Sequence, residues 1–170
     1  MKRIFPRIFL LALSLPPSAN ANTVTQTTRV SYEIEPVTAV TVASETGVQA
    51  VRLGPVTPHT EVATQSLKVS IKTNTRQHYR VYQNFEGEML SSVGTPFPLQ
   101  KILFRVTNGE KGGVSEVPSP TQLAPGEIPI FTSSAEAGAD IFRIYFVLDN
   151  TELFPAGLFY GNLNIDLRVE

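Results

Sequence analysis

The stretch Phe159-Tyr160-Gly161-Asn162-Leu163-Asn164-Ile165-Asp166-Leu167-Arg168-Val169-Glu170 decides the fold. Phe159, Gly161, Leu163, Ile165, Leu167 and Val169 are apolar or glycine. Asn162, Asn164, Asp166, Arg168 and Glu170 between them are polar. A strict period of two puts one face of a long β-strand in a core and the other in water. No hairpin partner follows it in the sequence, so one edge of this strand is expected to stand unpaired. An unpaired apolar edge invites another chain.

Working back from that strand, Ile141–Leu148 is the most apolar run after residue 21, interrupted only by Arg143. Such a run predicts a strand in the middle of a sheet, buried on both faces. Lys101–Thr107 alternates, with Ile102, Phe104 and Val106 inward. Glu127–Thr132 reads as a strand, and Pro129 marks it as an edge. Ser66–Thr73 places Leu67, Val69 and Ile71 on one face. Tyr79–Phe85 places Tyr79, Val81 and Phe85 on one face, and the polar turn Asn74–Gln77 between the two predicts an antiparallel hairpin. Val37–Ala43 and Val51–Leu53 are further β-rich runs. Val30–Ile34 alternates until Pro36 interrupts the ladder, and reads as an edge strand or a strand that changes partner.

Glu86–Gln100 and Asn108–Gly126 are expected to be loops, the second long and exposed. Ser133–Asp140 is expected to form at most one helical turn, and Asp149–Thr151 a turn. No longer stretch has helical periodicity. About eight strands at roughly ten-residue intervals is a sandwich pattern. The fold class expected is an all-β, immunoglobulin-like antiparallel β-sandwich over residues 30–170. Its core is expected to hold Leu67, Val69, Ile71, Val81, Ile102, Phe104, Val106, Ile144, Phe146, Leu163, Ile165 and Leu167.

Residues 1–21 read as an export signal. Lys2, Arg3 and Arg7 precede the apolar run Ile8–Leu15, and Ala19-Asn20-Ala21 fits a small-x-small cleavage site. The run is too short to span a bilayer, and no later run approaches that length. The expected destination is the periplasm and then the cell surface. The chain has 14 basic and 15 acidic residues, and three of the basic ones lie in the signal. That balance offers no footprint for nucleic acid. With no cysteine, the chain has no disulfide, thiol nucleophile or thiolate metal site.

The remaining chemistry is sparse. His59 and His78 stand outside any metal-ligand spacing and read as surface residues. Glu86 and Glu88 read as a solvated loop tip, and Asp149 and Glu152 as turn residues. Gly112-Gly113 lacks the strand and helix that a phosphate loop requires. Tyr79 and Phe85 share the core parity, so they pack rather than stack a sugar alongside Tyr82. The chain is therefore read as neither an enzyme nor a binder of metal or cofactor.

Pro155-Ala156-Gly157, an aromatic residue at Phe159, the small Gly161 and then alternating aliphatics resemble the C-terminal strand of chaperone–usher pilus subunits. The phrase Ile34-Glu35-Pro36-Val37 is similar to the start of mature subunits in the cysteine-free colonisation-factor fimbriae. The resemblance implies an incomplete sandwich lacking its last strand, with Phe159, Gly161, Leu163, Ile165, Leu167 and Val169 along a strand-addition groove. It implies a periplasmic chaperone, an outer-membrane usher and neighbouring subunits as partners. The leader, residues 22–29, has two readings: a disordered segment, or a donor strand continuing into the domain, with Val24, Gln26, Thr28 and Val30 on one face. The absence of a disulfide pair departs from the commoner pilin pattern. The alternative function is a secreted or surface binding module that recognises a glycan or receptor through its loops.

Overall fold

The computed structural model describes residues 34–44, 64–148 and 157–170. The signal, the leader with Val24, Gln26 and Thr28, Val30, the Val51–Leu53 run, His59 and the 149–152 turn lie outside the described residues. What is described is an all-β antiparallel sandwich. Its strands are β1 (Thr38–Ser44), β2 (Thr64–Thr73), β3 (Tyr79–Ser91), β4 (Pro96–Phe97), β5 (Ile102–Val106), β6 (Val114–Ser115), β7 (Thr121–Gln122), β8 (Gly126–Thr132), β9 (Asp140–Leu148) and β10 (Phe159–Val169). One sheet has the order β1-β2-β9-β5-β7. The other has the order β10-β3-β8-β6, with β4 beside β3.

Alternation explains how the sheets stack. Val69, Val81, Ile130, Phe131 and Ile144 are completely buried where the inner faces meet. Phe131 of β8 stacks on Phe142 of β9 across the sandwich, with ring centroids 4.1 Å apart. Aromatic pairs of this kind add roughly 0.5–1.5 kcal/mol beyond the area they bury. β9 is central to its sheet, as its apolar run predicts. Only its inner face is fully covered, however: Asp140, Phe142, Ile144, Phe146 and Leu148 are buried, while Ile141, Arg143, Tyr145 and Val147 are half-buried. Arg105 lies over the Tyr145 ring at 4.5 Å, so an arginine shields the outer face in place of a third layer.

The structure corrects several expectations. β2 and β3 do not form a hairpin. β2 pairs with β1 and β9, and β3 pairs with β10 and β8. The turn between them crosses from one sheet to the other, so their apolar faces meet across the core instead of lying side by side. β3 extends through Glu86 and Glu88 to Ser91, so these carboxylates belong to a strand and not to a loop tip. Gly87 has φ +68 there, at a register shift against β10 that removes residues of β3 from the ladder.

The segment 108–126 is not simply exposed. It contributes β6 to one sheet and β7 to the other, and buries Val117 and Leu123. The region 133–140 holds a β-turn closed by Ala137 N–H to Ser134 O at 2.9 Å, with no helix. β8 is bordered by β6 only at Phe131 and Thr132. Pro129 pairs with Tyr82, and a bulge at Ile130 lets the ladder resume beyond the proline.

Candidate functional site

β10 forms because its alternating sequence supplies one apolar face, and β3 supplies the complementary edge. Leu163 faces Phe85, Ile165 faces Gln83 and Leu167 faces Val81 in register. On its outer face Asn164 Nδ2 donates to Glu86 Oε1 at 2.6 Å. Arg168 donates to Glu127 and lies over the Tyr82 ring at 4.4 Å. The Glu86 and Tyr82 contacts fix β10 to β3, and the Glu127 contact ties it to β8 beyond. Its other edge has no strand partner among the described residues.

The opposite sheet ends in the same way. β1 pairs with β2, Val40 opposite Ile71 and Val42 opposite Val69, and has no second partner among the described residues. The chain leading into β1 is fastened by Asn74: Val37 N–H donates to Asn74 Oδ1 at 2.6 Å, and Asn74 Nδ2 donates to Glu35 O at 2.8 Å.

Between these two edges lies an open groove of about 980 Å³. Its walls are Val40–Val42 of β1 and Phe159–Asp166 of β10. Its floor is the core itself: Leu67, Phe85, Ile102, Leu123 and Phe146. Burial follows this geometry. Inward-facing residues of the interior strands are covered, whereas Val40, Val42, Phe159, Leu163, Ile165 and Leu167 pack against the core but remain half-buried. Leu163, Ile165 and Leu167 are thus on the inward face, but they are not fully inside the core as expected, because among the described residues β10 has a strand neighbour on one side only.

Of the predicted groove residues, Phe159, Gly161, Leu163 and Ile165 line it. Leu167 and Val169 lie beyond its end, and Val169 is exposed. Gly161 is exposed and packs against Phe85 and Met89. The β1 wall, Val40 and Val42, was missing from the sequence reading. Its only signal was the alternation of Val37–Ala43, which does not reveal which strand lies opposite. An added strand would cover the half-exposed side chains of both walls. Full burial of such a side chain is worth roughly 1.5–3 kcal/mol, so completing a half-burial contributes about 1 kcal/mol each. The main-chain groups of the two edges would add a ladder of hydrogen bonds.

The other polar groups serve the scaffold. His78 is exposed, with Nδ1 3.3 Å from Ser133 Oγ. Among the described residues no cluster of three His, Asp or Glu is placed to hold a metal ion. Asp140 is buried and accepts from the N–H groups of Lys111, Gly113 and Ile141 at 2.7–2.9 Å, which ties the 109–113 loop to β9. Tyr79 Oη donates to Gly138 O at 2.9 Å. Burial first, and then the nearby Asp140 carboxylate, push the Tyr79 phenol up to about 12. Gln83 is buried on the inner face of β3 with both side-chain amide atoms unpartnered.

No family model and no curated protein matches this chain. No described helix is long and apolar enough to cross a membrane.

Proposed function

We propose that the protein is a structural subunit of a surface fimbria, an immunoglobulin-like sandwich completed by a strand from another chain. The observation that carries this reading is the groove between β1 and β10, floored by core side chains and flanked by two strand edges without a partner among the described residues. A receptor-binding loop site would not require the core to be open along a whole strand. A missing strand does, and the half-buried residues of both walls are those such a strand would cover. In this reading a periplasmic chaperone and an usher handle the open subunit during export. The leader of a neighbouring copy, with Val24, Gln26 and Thr28 on one face, then fills the groove.

The absence of native cysteine makes a direct test available. Gln26→Cys is combined with Ile165→Cys, and with Leu163→Cys or Leu167→Cys to scan register. Oxidation of the exported protein is expected to give a ladder of disulfide-linked oligomers on a non-reducing gel. A cross-linked monomer would mean that the leader closes its own groove. The absence of any cross-link across the register scan would remove the leader as donor.

A further inference from the structure

The two sheets of the sandwich differ in charge. In the sheet β10-β3-β8-β6 and the residues that continue it, both cations have carboxylate partners. Arg80 meets Glu170 at 3.1 Å, and Arg168 donates to Glu127. Glu86 accepts from Asn164, and Glu116 from Thr132. The sheet β1-β2-β9-β5-β7 is the reverse. Its strands hold four basic residues, Lys68, Lys72, Arg105 and Arg143, and one acidic residue, Asp140. Asp140 is buried on the inner face, and alternation puts all four cations on the outer one. None of the four makes an ion pair among the described residues.

Register gathers three of them. Lys68 of β2 stands directly opposite Arg143 of β9, and Arg105 of β5 stands opposite Tyr145, two residues along β9. Lys68, Arg143 and Arg105 thus occupy three neighbouring strands, a width of about 10 Å. Ser70 and Lys72 continue the outer face of β2, and Lys72 is about 13 Å along the strand from Lys68. Glu110 borders the face, where its N–H donates to Ile141 O at 2.9 Å, and it forms no ion pair with these cations. Like charges directly opposite one another destabilise a sheet. No carboxylate of the described residues relieves that repulsion at Lys68 and Arg143. An external anion lying over the face would.

We infer that this sheet face binds a sulfated polysaccharide. The cations are spread over a flat surface, which suits a chain of repeated anionic groups better than one small ion. Arg105 is held over the Tyr145 ring at 4.5 Å, so its guanidinium is already positioned, and the guanidinium fork suits oxyanions bidentately. Ser70 offers a hydroxyl between the two lysines for the sugar. A single-stranded nucleic acid would need open aromatic faces for its bases. Tyr145 is the one aromatic ring among the outward residues of these strands, and Arg105 covers it. A second copy is also a poorer match, because its own Arg80, Arg168, Asn164 and Thr132 already hold carboxylates of its acidic sheet. The whole chain has a formal net charge of −1, so attraction to a polyanion has to be local. None of the four cations lines the groove, so the inference stands apart from strand addition.

The experiment measures binding of the full chain, after signal removal, to heparin and to chemically desulfated heparin. Binding to heparin alone is the expected result. It should be lost when salt rises from about 0.15 M to about 1 M, where the screening length falls from about 8 Å to about 3 Å. Lys68→Glu is the decisive variant. It places an opposite charge across from Arg143, so it should fold at least as stably as the native protein. Its affinity for heparin should nevertheless fall about tenfold or more. Arg143→Gln should also weaken binding, whereas Arg80→Gln, on the other sheet, should leave it unchanged. Absence of heparin binding by the native protein overturns the proposal, and full binding by Lys68→Glu overturns the site. Equal binding of desulfated heparin overturns the role of sulfate. A single-stranded RNA that binds as tightly as heparin overturns the choice of polysaccharide. Self-association that Lys68→Glu abolishes, with no heparin binding, would assign the face to a second copy instead.

Discussion

Gly161 of β10 lies against the ring of Phe85 on β3. A Cβ at this position would overlap Phe85 Cζ and come within 2.8 Å of Met89 Cγ. Both neighbours line the groove. Gly161→Ala is therefore expected to push Phe85 and Met89 toward the space a donor strand would occupy. Overpacking of this sort costs about 1–3 kcal/mol. Urea unfolding should show the loss, and a synthetic leader peptide should bind the variant more weakly than the native protein.

Asp140 holds the 109–113 loop through backbone N–H groups alone. A Cβ on Gly113 would sit 2.7 Å from its Oδ2, so the loop approaches the carboxylate closely only because glycine is there. Asp140→Ala leaves the buried Gly113 N–H and its neighbours without an acceptor. A stranded buried donor costs about 1–3 kcal/mol. The expected outcome is a drop in unfolding free energy of about 3 kcal/mol. Asp140→Asn, which keeps one acceptor oxygen, should lose less. Equal losses in the two variants would contradict this account.

Tyr79 gives the fold an alkaline limit. Its folded pKa of about 12 lies above the ordinary value of 10.0, so the folded protein holds the phenolic proton more tightly than the unfolded chain. Its contribution to stability is complete below pH 10 and is lost as pH rises through about 12. Tyr79→Phe should flatten the decline in stability over that window, at the cost of the hydrogen bond to Gly138 O. Melting curves of the two proteins from pH 9 to pH 12 make the comparison.

Gln83 stands between Ile128 and Ile165 in register, buried with neither amide atom paired. Gln83→Met preserves length and removes the unsatisfied polar atoms. It should stabilise the isolated subunit by about 1 kcal/mol or more, read from the denaturation midpoint.

Strand existence was far more legible than strand partnership. β10 announced itself because its alternation is unbroken from Gly161 to Glu170, and β9 was recognisable as central from its apolar run. Which sheet each strand joins was hidden. Ser66–Thr73 and Tyr79–Phe85 have the same inward parity whether they lie side by side or face each other across the core. The groove was half legible for the same reason. β10 displays its own apolar face, but Val40 and Val42 become the second wall only through a pairing that is missing between strands far apart in sequence. Asp140 gave no signal, since its partners are main-chain groups that every loop possesses.

Blocking either wall of the groove should have the same functional effect. Val42 lies on β1 and Ile165 on β10; both line the groove and both are half-buried. Val42→Asp and Ile165→Asp each place a carboxylate where an incoming strand would cover it. The isolated subunit leaves that carboxylate partly in water, so its own stability should fall modestly. The complex would have to bury it unpaired, which carries a far larger desolvation cost. A peptide spanning residues 22–33 is expected to raise the melting temperature of the native protein and to leave both variants unshifted. Each variant should retain the circular dichroism of a β-sandwich, so a null shift reports binding and not unfolding. Lys72→Gln, exposed on β2 and outside the groove, serves as the control and should respond to the peptide like the native protein. If Val42→Asp responds fully while Ile165→Asp does not, the added strand pairs with β10 alone and the groove is not a two-walled site. If both variants respond fully, the strand binds elsewhere.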